Sequence, residues 1–291
     1  MPRLMRSRLR RLTCATGVAA ALLLPVGCMA DKTPLLERIN AYHSVPQTCA
    51  GKKVDVLGPL APAAALARVQ RVAAEQSLQT ALQREGYAPA RAQAIVLVGP
   101  GSAGAAMGLL EKRYCEVLSG TQYSEIGISR DGNTWLLILA QPLLPPDLGN
   151  WREAGREVLR LVNEARAQPR TCGNQRFERA PAVAWNATLA ATARAHSADM
   201  AQHNYFAHAA KDGSTVGDRA GREGYAWQGI GENIATGQST PAQVVSGWLA
   251  SPRHCVNVMQ SEFTEMGAAF AVNLKSETMI YWTQVFGKPR P

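Results

Sequence analysis

Residues 222–235 read REGYAWQGIGENIA, and the first five letters of this stretch also occur at residues 84–88. The two occurrences stand far apart, one in each half of a chain of 291 residues. A shared run of five letters at long separation is typical of internal repetition, in which each repeat forms one structural unit. The stretch therefore predicts that the chain contains two versions of one structural unit.

Further matches on both sides of this stretch keep the same chain order. Nine residues of the first half recur 123 places later, and they are Leu36, Asn40, Pro46, Thr48, Cys49, Ala61, Leu66, Ala67 and Arg71. After the five-letter run, Cys115, Glu125 and Gly127 recur 140 places later, and Trp135 and Pro142 recur 147 places later. An offset that grows in steps is expected for a duplication with insertions in the second copy. We therefore predict two tandem domains, 31–147 and 148–291.

The cysteines agree with the duplication. Of the six, Cys14 and Cys28 lie near the N-terminus, and four remain in the two predicted domains. Four cysteines allow three pairings. Because each copy holds one early and one later cysteine, the duplication favours the pairs Cys49–Cys115 and Cys172–Cys255. In the chain-entropy model, a disulfide that closes a loop of this length stabilises the folded state by about 4 kcal/mol, because it lowers the entropy of the unfolded chain.

Residues 1–30 have the pattern of an export signal. Five arginines precede an apolar run from Leu12 to Val26, which is too short for an ordinary membrane-spanning helix. Two processing routes are consistent with the sequence: lipidation of Cys28 or cleavage after Ala30. The expected location is the periplasm, the outer membrane as a lipoprotein, or the exterior as a secreted protein.

Composition excludes some classes of partner. Apolar residues make up 46% of the chain, which is enough for a core in each half. The formal charge falls from +9 to +4 once the five arginines of residues 1–30 are removed, and no basic cluster follows. A concentrated basic face marks nucleic-acid binding, so no nucleic-acid partner is expected. Membrane contact is expected only through an N-terminal lipid anchor.

Local patterns predict an α+β fold for the second half. Val158, Leu161, Val162 and Ala165 have helical spacing, and a further helix is predicted to carry His196 on its apolar face. A third predicted helix begins at Thr240-Pro241, with Gln243 placed for a capping box. Two apolar strands follow at 266–272 and 278–286, and a strand over 135–140 ends the first half. Helices first and strands last indicate an α+β domain.

A set of short motifs in the second half resembles the bacterial branch of the CAP superfamily, which includes cysteine-rich secretory, antigen 5 and pathogenesis-related proteins. The motifs are Asn204–His208, Asp212-Gly213, Gly224-Tyr225, Gly231–Ala235, Trp248, Ser251–His254, Thr264–Gly267 and Tyr281–Gly287. The resemblance covers residues 155–289 and implies a three-layer α-β-α sandwich with a surface cleft. The first half is then a degenerate copy, joined to the family only through its match to the second.

The resemblance also implies a polar site in that cleft. His208 matches the histidine of the Phe-x-His motif, Glu232 the acid of Gly-Glu-Asn, and His254 the histidine of Ser-Pro-x-His. Family members often hold zinc or another divalent ion between such groups. We therefore predict His208 and His254 as metal ligands. Glu265 is interpreted as structural, because Glu125 survives at the matching place in the first half.

The residue types in this set permit two kinds of chemistry. Imidazoles are good zinc ligands, and a carboxylate can complete the set or act as general base on a metal-bound water. His208, Glu232 and His254 are therefore the candidate catalytic residues. The zinc-peptidase motif His-Glu-x-x-His and the serine-hydrolase motif Gly-x-Ser-x-Gly are both absent from the sequence.

The first half has lost these groups while keeping its scaffold residues. Its gap before Arg84 is shorter and omits the stretch that holds His208. In the first half, Ala92-Gln93-Ala94 is predicted to occupy the position of the Gly-Glu-Asn motif, and Tyr114 the position of His254. Loss of all three groups together is expected when one copy no longer has to carry out their shared function.

The favoured function is a binding module for an envelope lipid, glycan or peptide. The alternatives are a metal-dependent hydrolase acting on peptide or peptidoglycan, and a structural or interaction protein.

Overall fold

The computed structural model describes residues 32–69, 77–145 and 148–291. The predicted export signal, with Cys14 and Cys28, lies outside these residues. Within them, no helix is long and apolar enough to cross a bilayer.

The first half alternates short helices and strands. Its helices are α1 (Lys32–His43), α2 (Ala64–Arg68), α3 (Leu78–Arg84), α4 (Ala103–Arg113) and α5 (Cys115–Leu118). Its strands are β1 (Gln47–Cys49), β2 (Lys52–Val54), β3 (Ala61–Pro62), β4 (Pro89–Val98), β5 (Glu125–Asp131) and β6 (Thr134–Pro142).

The second half has the same order of elements. Its helices are α6 (Trp151–Arg166), α7 (Ala187–His203), α8 (Val216–Arg222), α9 (Pro241–Leu249) and α10 (Pro252–Met259). Its strands are β7 (Arg170–Cys172), β8 (Gln175–Phe177), β9 (Ala184–Trp185), β10 (Trp227–Thr236), β11 (Glu265–Val272) and β12 (Ile280–Pro289). The helices and strands predicted from periodicity are confirmed, including the capping box of Thr240 and Gln243. Strand β10 was not predicted.

Each half contains one four-stranded mixed sheet with the same topology. The strand orders are β3-β5-β6-β4 and β9-β11-β12-β10. The short first strand pairs parallel with its neighbour, and the other pairings are antiparallel. A two-stranded hairpin, β1-β2 or β7-β8, completes each half. The predicted α+β class is therefore confirmed.

Helices cover both faces of the second-half sheet, as expected for a three-layer sandwich. One face packs Trp282, Phe286 and Met266 against α6, α9 and α10. The opposite face packs Val285 and Ala269 against α7 and α8. Val285 and Phe286 lie on opposite faces of β12 because successive residues of a strand point to opposite faces. Alternation thus gives each helical layer its own apolar surface.

The residues that recur between the halves make the same contacts in both. The amide of Asn40 bonds the backbone of Leu60, and Asn163 bonds Val183 in the same way. The indole N–H of Trp135 donates to the carbonyl of Pro100, and that of Trp282 donates to the carbonyl of Gln238, each just after the long edge strand of its half. The repeated letters are therefore scaffold residues. Shared topology and contacts are observed, and duplication as their origin stays a prediction.

The predicted disulfides are present in both halves. Cys49 bonds Cys115 with the Cα atoms 5.6 Å apart, and Cys172 bonds Cys255 with the Cα atoms 5.5 Å apart. Each disulfide joins the first strand of the two-stranded hairpin to a helix much later in the same half: β1 to α5, and β7 to α10.

The strand register corrects one predicted equivalence. Glu232 pairs with Val285 across the sheet, and its counterpart in the first half, opposite Ile138, is Ala94. Gln93, Ala94 and Ile95 therefore stand for Gly-Glu-Asn, rather than residues 92–94. The predicted equivalence was wrong by one position because the motif follows the strand pairing, and no residue of this region is identical in the two halves to mark that pairing.

Gly267 lets helix α7 approach the second-half sheet. A Cβ atom at this position would lie 2.0 Å from the backbone nitrogen of Ala190, and at the matching Gly127 it would lie 2.3 Å from Leu66. No side chain fits at such distances.

We expect Gly267→Ala to lower the free energy of unfolding by about 3 kcal/mol, because the helix must move away from the sheet. Gly221→Ala is the matched control: it lies in α8 with open space around its Cβ position. In a helix this change is neutral or stabilises by up to ~1 kcal/mol. Urea unfolding measures both, and equal stability of the two variants would contradict the prediction.

Candidate functional site

His208 lies on an irregular segment that begins where α7 ends. The helix stops at Asn204, whose backbone is left-handed with φ of 49°. Asparagine tolerates this conformation better than most residues. Its side-chain oxygen accepts a hydrogen bond of 3.0 Å from the Tyr281 hydroxyl, which fixes the exit from the helix to β12. The chain then continues through residues 205–215 to α8.

Helix α8 supplies a residue that the sequence analysis missed. Thr215 and Asp218 form a capping box at its start. One turn in, the guanidinium of Arg219 donates to the carbonyls of His208 and Ser214, at 3.0 and 2.7 Å. Arg219 is 8% exposed. It therefore holds the segment that carries His208 against the sheet.

Glu232 lies in β10 and is 6% exposed. Its Oε1 atom accepts from His208 Nδ1 at 2.8 Å, and its Oε2 atom accepts from Arg219 at 2.5 Å. A buried carboxylate is costly unless it is paired and hydrogen-bonded, and both conditions are met here. His208 is thereby oriented with Nδ1 towards Glu232, which leaves Nε2 free of this contact.

His254 lies at the start of α10 and is 8% exposed. Its Nδ1 atom hydrogen-bonds the Ser251 hydroxyl at 2.8 Å. Burial, reinforced by the nearby His208, lowers the pKa of His254 to about 3. The imidazole is therefore neutral at physiological pH.

Two asparagines connect the strand to the helix. Asn257 donates to the carbonyl of Glu232 and to the side chain of Asn233, each at 3.0 Å. Asn233 in turn donates to Gln284 at 3.0 Å. Because these bonds join β10, β12 and α10, the separation of Glu232 and His254 is fixed by the fold.

One cavity of about 470 Å³ contains all three predicted site residues. His208, Glu232 and His254 line it together with Ser44, Pro46, Val56, Leu57, Phe206, Ile234, Arg253, Val256 and Asn257. The sequence prediction that 208, 232 and 254 share one hollow agrees with this geometry. Four of the lining residues come from the first half, which the sequence did not indicate.

His196, predicted as a core histidine, is buried at 1% exposure. Its Nε2 atom lies 3.0 Å from the carbonyl of Ala207 and 4.0 Å from Glu232 Oε1. The imidazole of His196 therefore contacts the backbone of the residue just before His208.

Glu265 lies outside this cavity, and its carboxylate accepts hydrogen bonds from Tyr225 and Asn186, at 2.7 and 3.2 Å. Glu125 accepts from Tyr87 in the matching place of the first half.

The contacts of Glu232 leave its carboxylate poorly suited to bind a metal ion. In residues 32–69, 77–145 and 148–291, no group of three or more His, Cys, Asp or Glu side chains is arranged around a common metal position. Both oxygens of Glu232 are engaged, one of them by a cation. Metal-ligating histidines commonly bond a second partner through the other ring nitrogen, as His208 and His254 do. Glu232 therefore fits an orienting role.

Residues 159–286 match the model of the cysteine-rich secretory protein family, CAP. This part of the chain is a CAP domain. The family assignment made from the sequence motifs is therefore confirmed for the second half.

Two proteins of Bacillus subtilis strain 168 are similar to parts of this chain. The uncharacterized protein YkwD is 37% identical over 99 residues, which are 34% of this chain and 37% of YkwD. The uncharacterized membrane protein YlbC is 35% identical over 104 residues, which are 36% of this chain and 28% of YlbC. The chain thus spans well under half the length of these relatives.

Solved structures of bacterial proteins are similar as well. An extracellular SCP-domain protein of Bacillus anthracis is 26% identical with a TM-score of 0.41, covering 54% of this chain and 52% of that one. A cysteine-rich secretory protein of Staphylococcus aureus is 12% identical with a TM-score of 0.37, covering 56% and 54%.

The burial of His254 predicts a pH-dependent stability. A histidine whose pKa is lowered in the folded state is protonated first in the unfolded chain, so stability falls as pH drops below about 6.5. At pH 5 this residue alone costs about 2 kcal/mol. Burial also lowers the pKa of His43 and His196, which act in the same direction.

We expect His254→Asn to reduce the loss of unfolding free energy between pH 7 and pH 5 by about 2 kcal/mol. The comparison uses the pH dependence of urea unfolding rather than absolute stability. His203→Asn is the control, because this side chain is 46% exposed. An unchanged pH dependence in His254→Asn would contradict the burial of a neutral imidazole.

Proposed function

We propose that the protein is an exported ligand-binding protein whose CAP-domain cleft recognises a small envelope molecule: a lipid, a glycan or a peptide. The observation that carries the proposal is the cavity of about 470 Å³, which places the His208–Glu232 pair and His254 beside apolar side chains. Ligand pockets are typically of this size, mostly apolar, with a few placed polar groups.

The two kinds of lining suggest how a ligand would be oriented. Phe206, Ile234 and Val256 offer apolar surface, whereas the guanidinium of Arg253 offers hydrogen-bond donors. The carboxylate of Glu232 is already neutralised by Arg219. The cleft therefore favours a molecule with an apolar body and an anionic or hydrogen-bond-accepting group.

The side chains favour binding over nucleophilic catalysis. Ser251 bonds an imidazole, as a catalytic serine would, but it is fully buried. The four described cysteines are in disulfides. No exposed nucleophile is therefore paired with a base among the residues that line the cleft.

Zinc or another divalent ion would be held by the Nε2 atoms of His208 and His254. Such an ion would act as a Lewis acid that attracts anionic groups of a ligand.

Export is supported by the predicted signal of residues 1–30 and by the two disulfides, which persist in oxidising compartments.

Zinc titration by calorimetry tests the two-histidine arrangement. We expect His208→Ala and His254→Ala each to lower zinc affinity at least tenfold, because two ligands cannot be reduced to one without loss. His203→Ala is the matched control, since His203 is exposed and pairs with Asp199. Equal affinity in all four proteins, or no binding by any of them, would remove metal from the proposal.

One observation favours hydrolysis as a second candidate function. Glu232 orients His208 by its Nδ1 atom, so that Nε2 can accept a proton from a water in the cleft. We expect peptidoglycan or peptide cleavage, if present, to fall at least 100-fold in Glu232→Gln and in His208→Ala. Release of soluble fragments measures it, and absence of release by the unaltered protein would leave binding alone.

A further inference from the structure

The cleft of the CAP domain has a wall made by the first half of the chain. Four first-half residues line the same cavity as His208 and His254 of the second half: Ser44, Pro46, Val56 and Leu57. Val56 and Leu57 are partly buried. The first half therefore takes part in the cleft although it has lost the polar site residues itself.

This wall is held in place from within the first half. The backbone N–H of Leu57 donates to the carbonyl of His43 at 2.9 Å. The buried imidazole of His43 contacts the carbonyls of Gly58 and Leu118, at 3.1 and 2.9 Å. Residues 57 and 58 are thus both bonded to His43 at the end of α1, whose imidazole also contacts α5. A segment held at two successive residues presents a defined surface.

Buried hydrogen bonds also fix the wall to the CAP domain. The side chain of Gln238, with no exposed surface, donates to the carbonyls of Pro59 and Ser124, at 2.8 and 3.2 Å. The hydroxyl of Ser124 donates back to Gly237 at 3.0 Å. A Cβ atom on Gly58 would lie 2.9 Å from the Thr236 hydroxyl, so the two backbones are in close contact.

A third bond comes from the repeated asparagine. Asn40 donates to Leu60 within the first half and to Ala250, next to α10, across the junction. The same side chain that organises the scaffold of the first half therefore also anchors it beside the helix that carries His254. The position of the wall relative to the histidines follows from these buried contacts.

We propose that the cleft is a composite of both halves and that Leu57 and Val56 are specificity-determining residues for its ligand. This inference rests on the proposed binding function. The two side chains bind the apolar body of a ligand whose anionic group is held at Arg253, beside His208. The degenerate first half then has a role that needs its scaffold and its outer surface, but none of the polar groups that it lost.

A dansyl-labelled fatty acid is the probe, because it joins an apolar chain to one carboxylate. Fluorescence titration gives its affinity for the full chain and for Leu57→Ser, Leu57→Trp and Leu57→Met. We expect Leu57→Ser to weaken binding at least tenfold through lost apolar contact, and Leu57→Trp to weaken it by filling the cavity. Leu57→Met keeps apolar volume and should bind within threefold of the unaltered protein.

Val98→Ser is the matched control, because Val98 is an apolar residue of the first half that is 75% exposed and does not line the cleft. Zinc affinity of Leu57→Trp should stay unchanged, which shows that the histidines are intact. Probe affinity lowered by His208→Ala but unaffected by both Leu57→Ser and Leu57→Trp would overturn the composite cleft alone. Absence of probe binding by the unaltered protein would overturn the proposed ligand class and the composite cleft together.

Discussion

The site depends on one buried carboxylate and the two groups that bind it. Glu232 comes from a strand, Arg219 from a helix and His208 from an irregular segment between helices. A carboxylate at this depth is stable only when its charge is compensated, so the three elements are bound to one arrangement. The orientation of His208, and with it the chemistry that the cleft can offer, follows from this pairing.

The first half shows what the fold keeps when this pairing is absent. Ala94 occupies the place of Glu232, Ala81 that of Arg219 and Tyr114 that of His254. The chain has 15 fewer residues between Arg71 and Arg84 than between Arg194 and Arg222, the interval of the second half that holds His208. The Tyr–Glu pair, the asparagine contacts and the indole contacts remain. The scaffold and the site are therefore separable in this fold.

Buried polar contacts also explain why the halves form a unit. Gln238, Ser124 and Asn40 are nearly inaccessible to solvent, and each donates to a carbonyl of the opposite half. Unpaired groups at such positions would cost free energy, which favours one arrangement over others. A first half fixed in this way next to the cleft can shape what the cleft binds.

The amino-acid sequence was sufficient to predict the mixed α+β class, the CAP family of the second half, the disulfide pairs and the three residues that share the cleft. Repeated letters and family motifs carry that information because scaffold contacts such as Tyr225 with Glu265 recur wherever the fold recurs. The three-dimensional structure was needed to show that Arg219 binds Glu232, that Ala94 is the counterpart of Glu232 and that Leu57 lines the cleft. These depend on strand register and on contacts between residues that are far apart in the chain. No local pattern encodes such contacts, because charge pairing and packing act through space.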